Sequence, residues 1–262
     1  MGNPLFGFEL PADARPRPPI TQDGVIASVS CVLMGWDNPY YAFFAATLLL
    51  VAGLLGTFRY RHRRALFAAA IMCAVLTGAL SIALLPNLLY LQRHGSTLVG
   101  HRLPSESETY GLTLIQLLAP VSGHGLPVLA HWKASFDTQA ILVNENGTAT
   151  LGAIGAAGFL VSLSSLFRRR APAFLYTLGI LNLWAVLLGT IGGFGAIFAF
   201  LISSQLRSYN RISVFIAFFS IAGLMWALDR ILRLRLQSLA FMVLIVIPAS
   251  LLILGARPRF SI

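Results

Sequence analysis

The chain has 262 residues, of which 57% are hydrophobic and only 11% charged, and its mean hydropathy is +0.77. A soluble domain carries roughly 25% charged residues, so a water-covered globule is excluded and lipid must cover much of this surface. The net charge of +10 does not indicate a nucleic-acid partner, because the arginines fall in short clusters between apolar runs rather than in one patch, the pattern by which multi-span membrane proteins orient themselves.

In chain order, the opening "MGNPLFGFELPADARPRPPITQDG" is polar and proline-rich and lacks the charged-then-apolar order of a signal peptide. It predicts an irregular segment over 1–38. Residues 25–36, "VIASVSCVLMGW", are apolar but only about half the length that spans a bilayer. The expectation is a chain that starts abruptly, downstream of further helices. Cys31 and Cys73 both lie in apolar stretches and form no metal or disulfide spacing. Neither a metal nor a cofactor is expected.

Six stretches are long and apolar enough to cross a bilayer: 40–58, 65–91, 150–167, 172–192, 211–228 and 238–256. Continuous runs of this length mean helices, and no period-two alternation suggests a barrel. The predicted fold is all-α: a polytopic transmembrane helical bundle over 39–256, with about six spanning helices and a tail at 257–262. "RYRHRR" (59–64), "RRR" (168–170) and "DRILRLRLQ" (229–237) join alternate spans and hold ten of the nineteen Lys and Arg residues. Short basic connections stay cytoplasmic, so all three share one side and the other connections face outward. The acidic residues agree: Asp229 alone falls inside.

The longest outer connection is 92–149. It is apolar with aromatic and proline punctuation, which predicts a structured loop. Within it "GLTLIQLLAP" (111–120) predicts a short interfacial helix ended at Pro120. Ahead of that helix, "PSESETY" (104–110) admits two readings. Ser105 and Ser107 cap a helix whose dipole favours Glu106 and Glu108, or those carboxylates line a substrate cleft. Four histidines fall here, His94, His101, His124 and His131, at spacings that fit no metal motif. Asn146-Gly147 signals a tight turn.

The second outer connection, 193–210, follows a glycine-crowded stretch. "AIFAFLISSQL" predicts a short re-entrant or interfacial helix that delivers Arg207, Tyr209, Asn210 and Arg211 to the membrane surface. Two arginines four apart share a helix face. They either anchor the helix by snorkelling or bind phosphate, for which the guanidinium fork is suited.

The blocks "NPYYAFF" (38–44), "ETYGLTLIQLLAPVSGHGLP" (108–127), "NENGTATLG" (144–152), "LLGTIGGFG" (187–195) and "LRSYNRISVFIAFF" (206–219) resemble, in the same order, blocks of large bacterial inner-membrane proteins of the sugar translocase and phosphoglycerol transferase-like group. The likeness covers most of residues 38–230. It implies a protein similar to the GT-C glycosyltransferase class, multi-pass in the bacterial inner membrane and handling lipid-linked sugars at its outer face. The partners implied are membrane lipids and a polyprenyl-phosphate-linked sugar or phospholipid donor. That class carries its catalytic acids in an outer loop after the first span, and this chain starts beyond that point, so no catalytic residue is assigned. The matching outer blocks, with the charged positions beside them, leave as candidate substrate contacts Glu106, Glu108, Tyr110, Gln116, His124, Glu145, Asn146, Arg207, Tyr209, Asn210 and Arg211. A transporter or flippase of lipid-linked sugars, and a non-catalytic membrane scaffold, stand as alternatives.

Overall fold

The computed structural model describes residues 22–95, 102–140, 147 and 149–232. The expected span at 238–256 and the candidates Glu145 and Asn146 lie outside these residues. Within them the protein is all-α, and the single piece of extended pairing is an isolated parallel bridge between Leu112 and Thr190. Three helical stretches, Pro39–Phe58, Arg63–His94 and Tyr209–Arg230, are long and apolar enough to cross a membrane. The protein is therefore an integral membrane protein. Two expected spans are shorter apolar helices, Gly152–Phe167 and Ala173–Gly189. At 1.5 Å per residue each rises about 25 Å, just short of a hydrocarbon core of about 30 Å.

The chain divides into two compact units, residues 1–101 and 102–262. The first holds α1 (Gln22–Asp37), α2 (Pro39–Phe58) and α3 (Arg63–His94). Residues 22–37 are helical, contrary to the irregular segment expected over 1–38. A 12-residue apolar run is too short to cross lipid, but it is long enough to pack, and α1 lies along α3. Gly35 lets it do so, since a Cβ there would stand 2.5 Å from the Leu76 carbonyl oxygen. Asn38 separates α1 from α2. Its side-chain oxygen accepts the Tyr40 N–H at 2.9 Å, and Pro39 occupies the first turn, where its missing N–H costs nothing. The basic connection then turns the chain back into α3.

The second unit begins with three short helices, α4 (Glu106–Thr109), α5 (Leu114–Leu118) and α6 (Pro127–Gln139). α5 ends before Pro120, where the proline predicted a stop. Then come α7 (Gly152–Ser164), extended by a 3-10 turn at Ser165–Phe167, α8 (Ala173–Gly189), α9 (Phe194–Leu201), a 3-10 turn at Tyr209–Ile212, and α10 (Ser213–Leu232). α9 matches the short helix expected there. The apolar helices α7, α8 and α10 pack on one another. A Cβ at Gly158 of α7 would collide with the Ser220 carbonyl oxygen of α10, so these helices meet backbone to backbone. Between them Asn182 of α8 is fully buried and donates to Ser162 Oγ at 2.8 Å and Ser220 Oγ at 3.4 Å.

The start of α7, the end of α8 and the start of α10 share one end of this unit. The short segments cap that end: Leu151 N–H donates to Leu117 O, Leu112 N–H to Gly189 O, and Asn210 N–H to Tyr110 O. The basic turn 168–170, joining α7 to α8, therefore lies at the opposite end.

Candidate functional site

The capping end gathers most of the charged and polar candidates. α4 is one turn after Pro104. Ser105 stands at its N-cap without a side-chain hydrogen bond. Instead Glu106 reaches back and accepts the Leu103 N–H at 3.2 Å, while Ser107 Oγ donates to Pro104 O at 2.6 Å. The chain then runs extended through Gly111 and Leu112 beside the end of α8. A Cβ at Gly111 would meet Ile191 Cγ1 at 2.9 Å and the Ser107 carbonyl oxygen at 3.0 Å, so a side chain there would push the two segments apart. Gly192, at φ +70°, turns its N–H toward Glu108, whose carboxylate accepts it at 3.0 Å. Glu108 thus clamps the α8–α9 turn.

Arg207 crosses to this segment from 101 positions away. Its Nη1 donates to Glu106 Oε2 at 2.8 Å, and its guanidinium lies 4.9 Å from the Tyr110 ring centroid. Both charged side chains are partly exposed, 30% for Arg207 and 23% for Glu106. The Arg207 hydrogen bond, helped by the Leu103 N–H, holds the Glu106 carboxyl below the usual carboxylate range, with a lesser pull from Arg102. Arg207 precedes the 3-10 turn that holds Arg211, so the two arginines do not share an α-helical face as their spacing predicted. A 3-10 turn has three residues per turn rather than 3.6, and Arg207 lies outside it.

The remaining candidates divide by burial. Tyr209, 1% exposed, packs its ring against Gly195. Asn210 is 4% exposed, and its Oδ1 has no hydrogen-bond partner among the described residues. Gln116, 1% exposed, accepts a hydrogen bond from Lys133 Nζ at 2.8 Å. His124 accepts the Leu126 N–H at 3.1 Å within its own turn. The structure thus unites Glu106, Glu108, Tyr110, Arg207, Tyr209, Asn210 and Arg211 at one end, and places Gln116 and His124 in the α5–α6 region.

Two polar centres escaped the reading of the sequence. Lys133, 1% exposed, donates to Asp137 Oδ1 at 2.6 Å as well as to Gln116. The i,i+4 spacing of Lys133 and Asp137 was the available signal. The Asn182 cluster was signalled by one amide inside an apolar run, which in a membrane points to a buried partner.

Chemically, the cap offers guanidinium groups at a helix entry, an aromatic face and a buried acceptor. The two carboxylates nearest the arginines are both engaged, Glu106 with Arg207 and Glu108 with the Gly192 N–H. A scan of protein-family models, a search of curated proteins and a search of solved structures each return no match to this chain.

Proposed function

We propose that this chain is, or is part of, a transferase-like membrane protein, and that its cap receives the phosphate of a lipid-linked sugar or a phospholipid at the outer face of a bacterial inner membrane. The supporting observation is the docking of Arg207 on the 103–110 segment, which brings together two candidate regions a hundred residues apart. Stacking on Tyr110 orients the guanidinium, and a phosphate oxygen can replace the Glu106 carboxylate as its acceptor. Asn210 Oδ1, buried without a hydrogen-bond partner among the described residues, suits a donor such as a sugar hydroxyl. In this reading the basic connections 59–64, 168–170 and 229–237 face the cytoplasm.

Competition with Glu106 makes the proposal testable. Polyprenyl phosphate and polyprenol are titrated against the protein in lipid nanodiscs. The phosphate form should bind at least tenfold more tightly than the alcohol. Arg207→Ala should remove that preference, and Glu106→Gln should strengthen phosphate binding about two- to fivefold, the scale of a half-exposed ion pair. Equal binding of both lipids, or no change in Arg207→Ala, contradicts the proposal.

A transporter of lipid-linked sugars is the second reading, supported by the buried Asn182–Ser162–Ser220 cluster. Transport predicts that Asn182→Ala abolishes movement of the lipid between leaflets, whereas the transferase reading leaves phosphate binding intact in that variant.

A further inference from the structure

The short helices α5 and α6 have their polarity reversed. Their mutual contact is polar: Gln116 and Lys133, each 1% exposed, meet at 2.8 Å, and Asp137 closes on the same amine. Their outward faces are largely apolar, with His131 the exposed polar side chain in the first two turns of α6. Leu114 (48% exposed) and Leu118 (49%) look out from α5, and Leu126 (60%), Val128 (79%) and Trp132 (42%) look out from the start of α6. A helix pair in water does the opposite and turns its lysine outward. Farther along α6, Ser135 is half-buried and Thr138 and Gln139 are exposed, so the apolar face is confined to one end.

This face lies beside the start of the apolar helix α7. α5 is tied to the start of α7, through Leu151 N–H to Leu117 O at 3.0 Å and through Thr150 Oγ1 to Ala119 O. Down the same unit Leu160 and Phe218 are also exposed, at 57% and 66%, as expected of membrane helices bathed in acyl chains.

We propose that α5 and the first two turns of α6 dip into the acyl layer of the bilayer, entering from the capping end without crossing. With 5 and 13 residues these helices rise about 8 and 20 Å, less than a bilayer core. Placement there explains the buried amine. A lysine facing acyl chains is costly, so it turns inward onto a carboxylate and an amide. The partner is lipid rather than protein because α5 is bonded to the start of α7, an apolar helix of an integral membrane protein whose Leu160 is likewise exposed. The inference is independent of phosphate binding at Arg207.

Trp132 reports on this directly. A protein in which Trp36, Trp184 and Trp226 are changed to Phe, leaving Trp132 alone, is placed in phosphatidylcholine vesicles with brominated acyl chains. Trp132 emission should fall by half or more relative to unbrominated vesicles, with little quenching by aqueous iodide. Strong iodide quenching without bromolipid quenching puts the face in water. Protection from both puts it against protein. Either outcome overturns the proposal. Val128→Cys carrying an environment-sensitive fluorophore, in a Cys31→Ala/Cys73→Ala background with all tryptophans retained, repeats the measurement without the Trp replacements. It should emit blue-shifted, as in an apolar medium, and emission at the aqueous wavelength contradicts the proposal.

Discussion

At the scale of single residues, the ion pair of Glu106 and Arg207 links acidity to stability. Its carboxyl is held below the ordinary value of about 4.3 by the Arg207 hydrogen bond. The contribution is therefore complete above that value and is lost as the pH falls through the lowered one. Thermal unfolding in detergent from pH 7 to pH 3 should show wild type losing an increment at the acid end that Glu106→Gln lacks at every pH. Parallel curves for the two proteins would mean that the pair contributes nothing. Lys133 is the opposite case, a buried cation with two acceptors. Lys133→Met strands Gln116 and Asp137 and should cost about 1.5–3 kcal/mol, the worth of hydrogen bonds to a charged group, read as a lowered unfolding midpoint. The arginines were legible in the sequence because they stand at the entry to an apolar run on the side away from the three short basic connections. The partner of Arg207 was not, because a contact between positions 106 and 207 depends on how α8 and α10 bring their ends together. Lys133 was overlooked because "HWKASFD" reads as an ordinary mixed surface until Gln116 is placed against it.

At the scale of elements, apolar runs located the helices well, since membrane helices announce themselves by length and composition together. α1 was the exception. Hydropathy asks whether a run crosses lipid, and Gln22–Asp37 is held by packing on α3 at Gly35. α6 was unforeseen for a related reason: its buried face is polar, which inverts the pattern that marks an amphipathic helix. Close packing makes a sharp element-level prediction. Gly158→Ala sets a methyl against the Ser220 carbonyl, so α7 and α10 must separate, at a cost of about 1–3 kcal/mol. Gly78→Ala, in a helix where a Cβ meets nothing within 4 Å, should be neutral or stabilise by up to about 1 kcal/mol. Unfolding midpoints of the two variants decide this, and equal midpoints would mean that the α7–α10 contact is loose.

At the scale of the whole molecule, the second unit has two chemically distinct ends. One carries the cap with Arg207, Arg211 and their partners, the other the exposed turn Arg168–Arg170. Charge alone assigned these ends to opposite sides of a membrane, and chain connectivity in α7, α8 and α10 places them at opposite ends of the bundle. The direct measurement is labelling with a membrane-impermeant maleimide in spheroplasts, using Gln205→Cys and Arg169→Cys separately in a Cys31→Ala/Cys73→Ala background. Gln205→Cys should label in intact spheroplasts, and Arg169→Cys only after the membrane is opened. The reverse pattern would turn the cap toward the cytoplasm, and labelling of both from outside would mean that α7 and α8 do not traverse the bilayer.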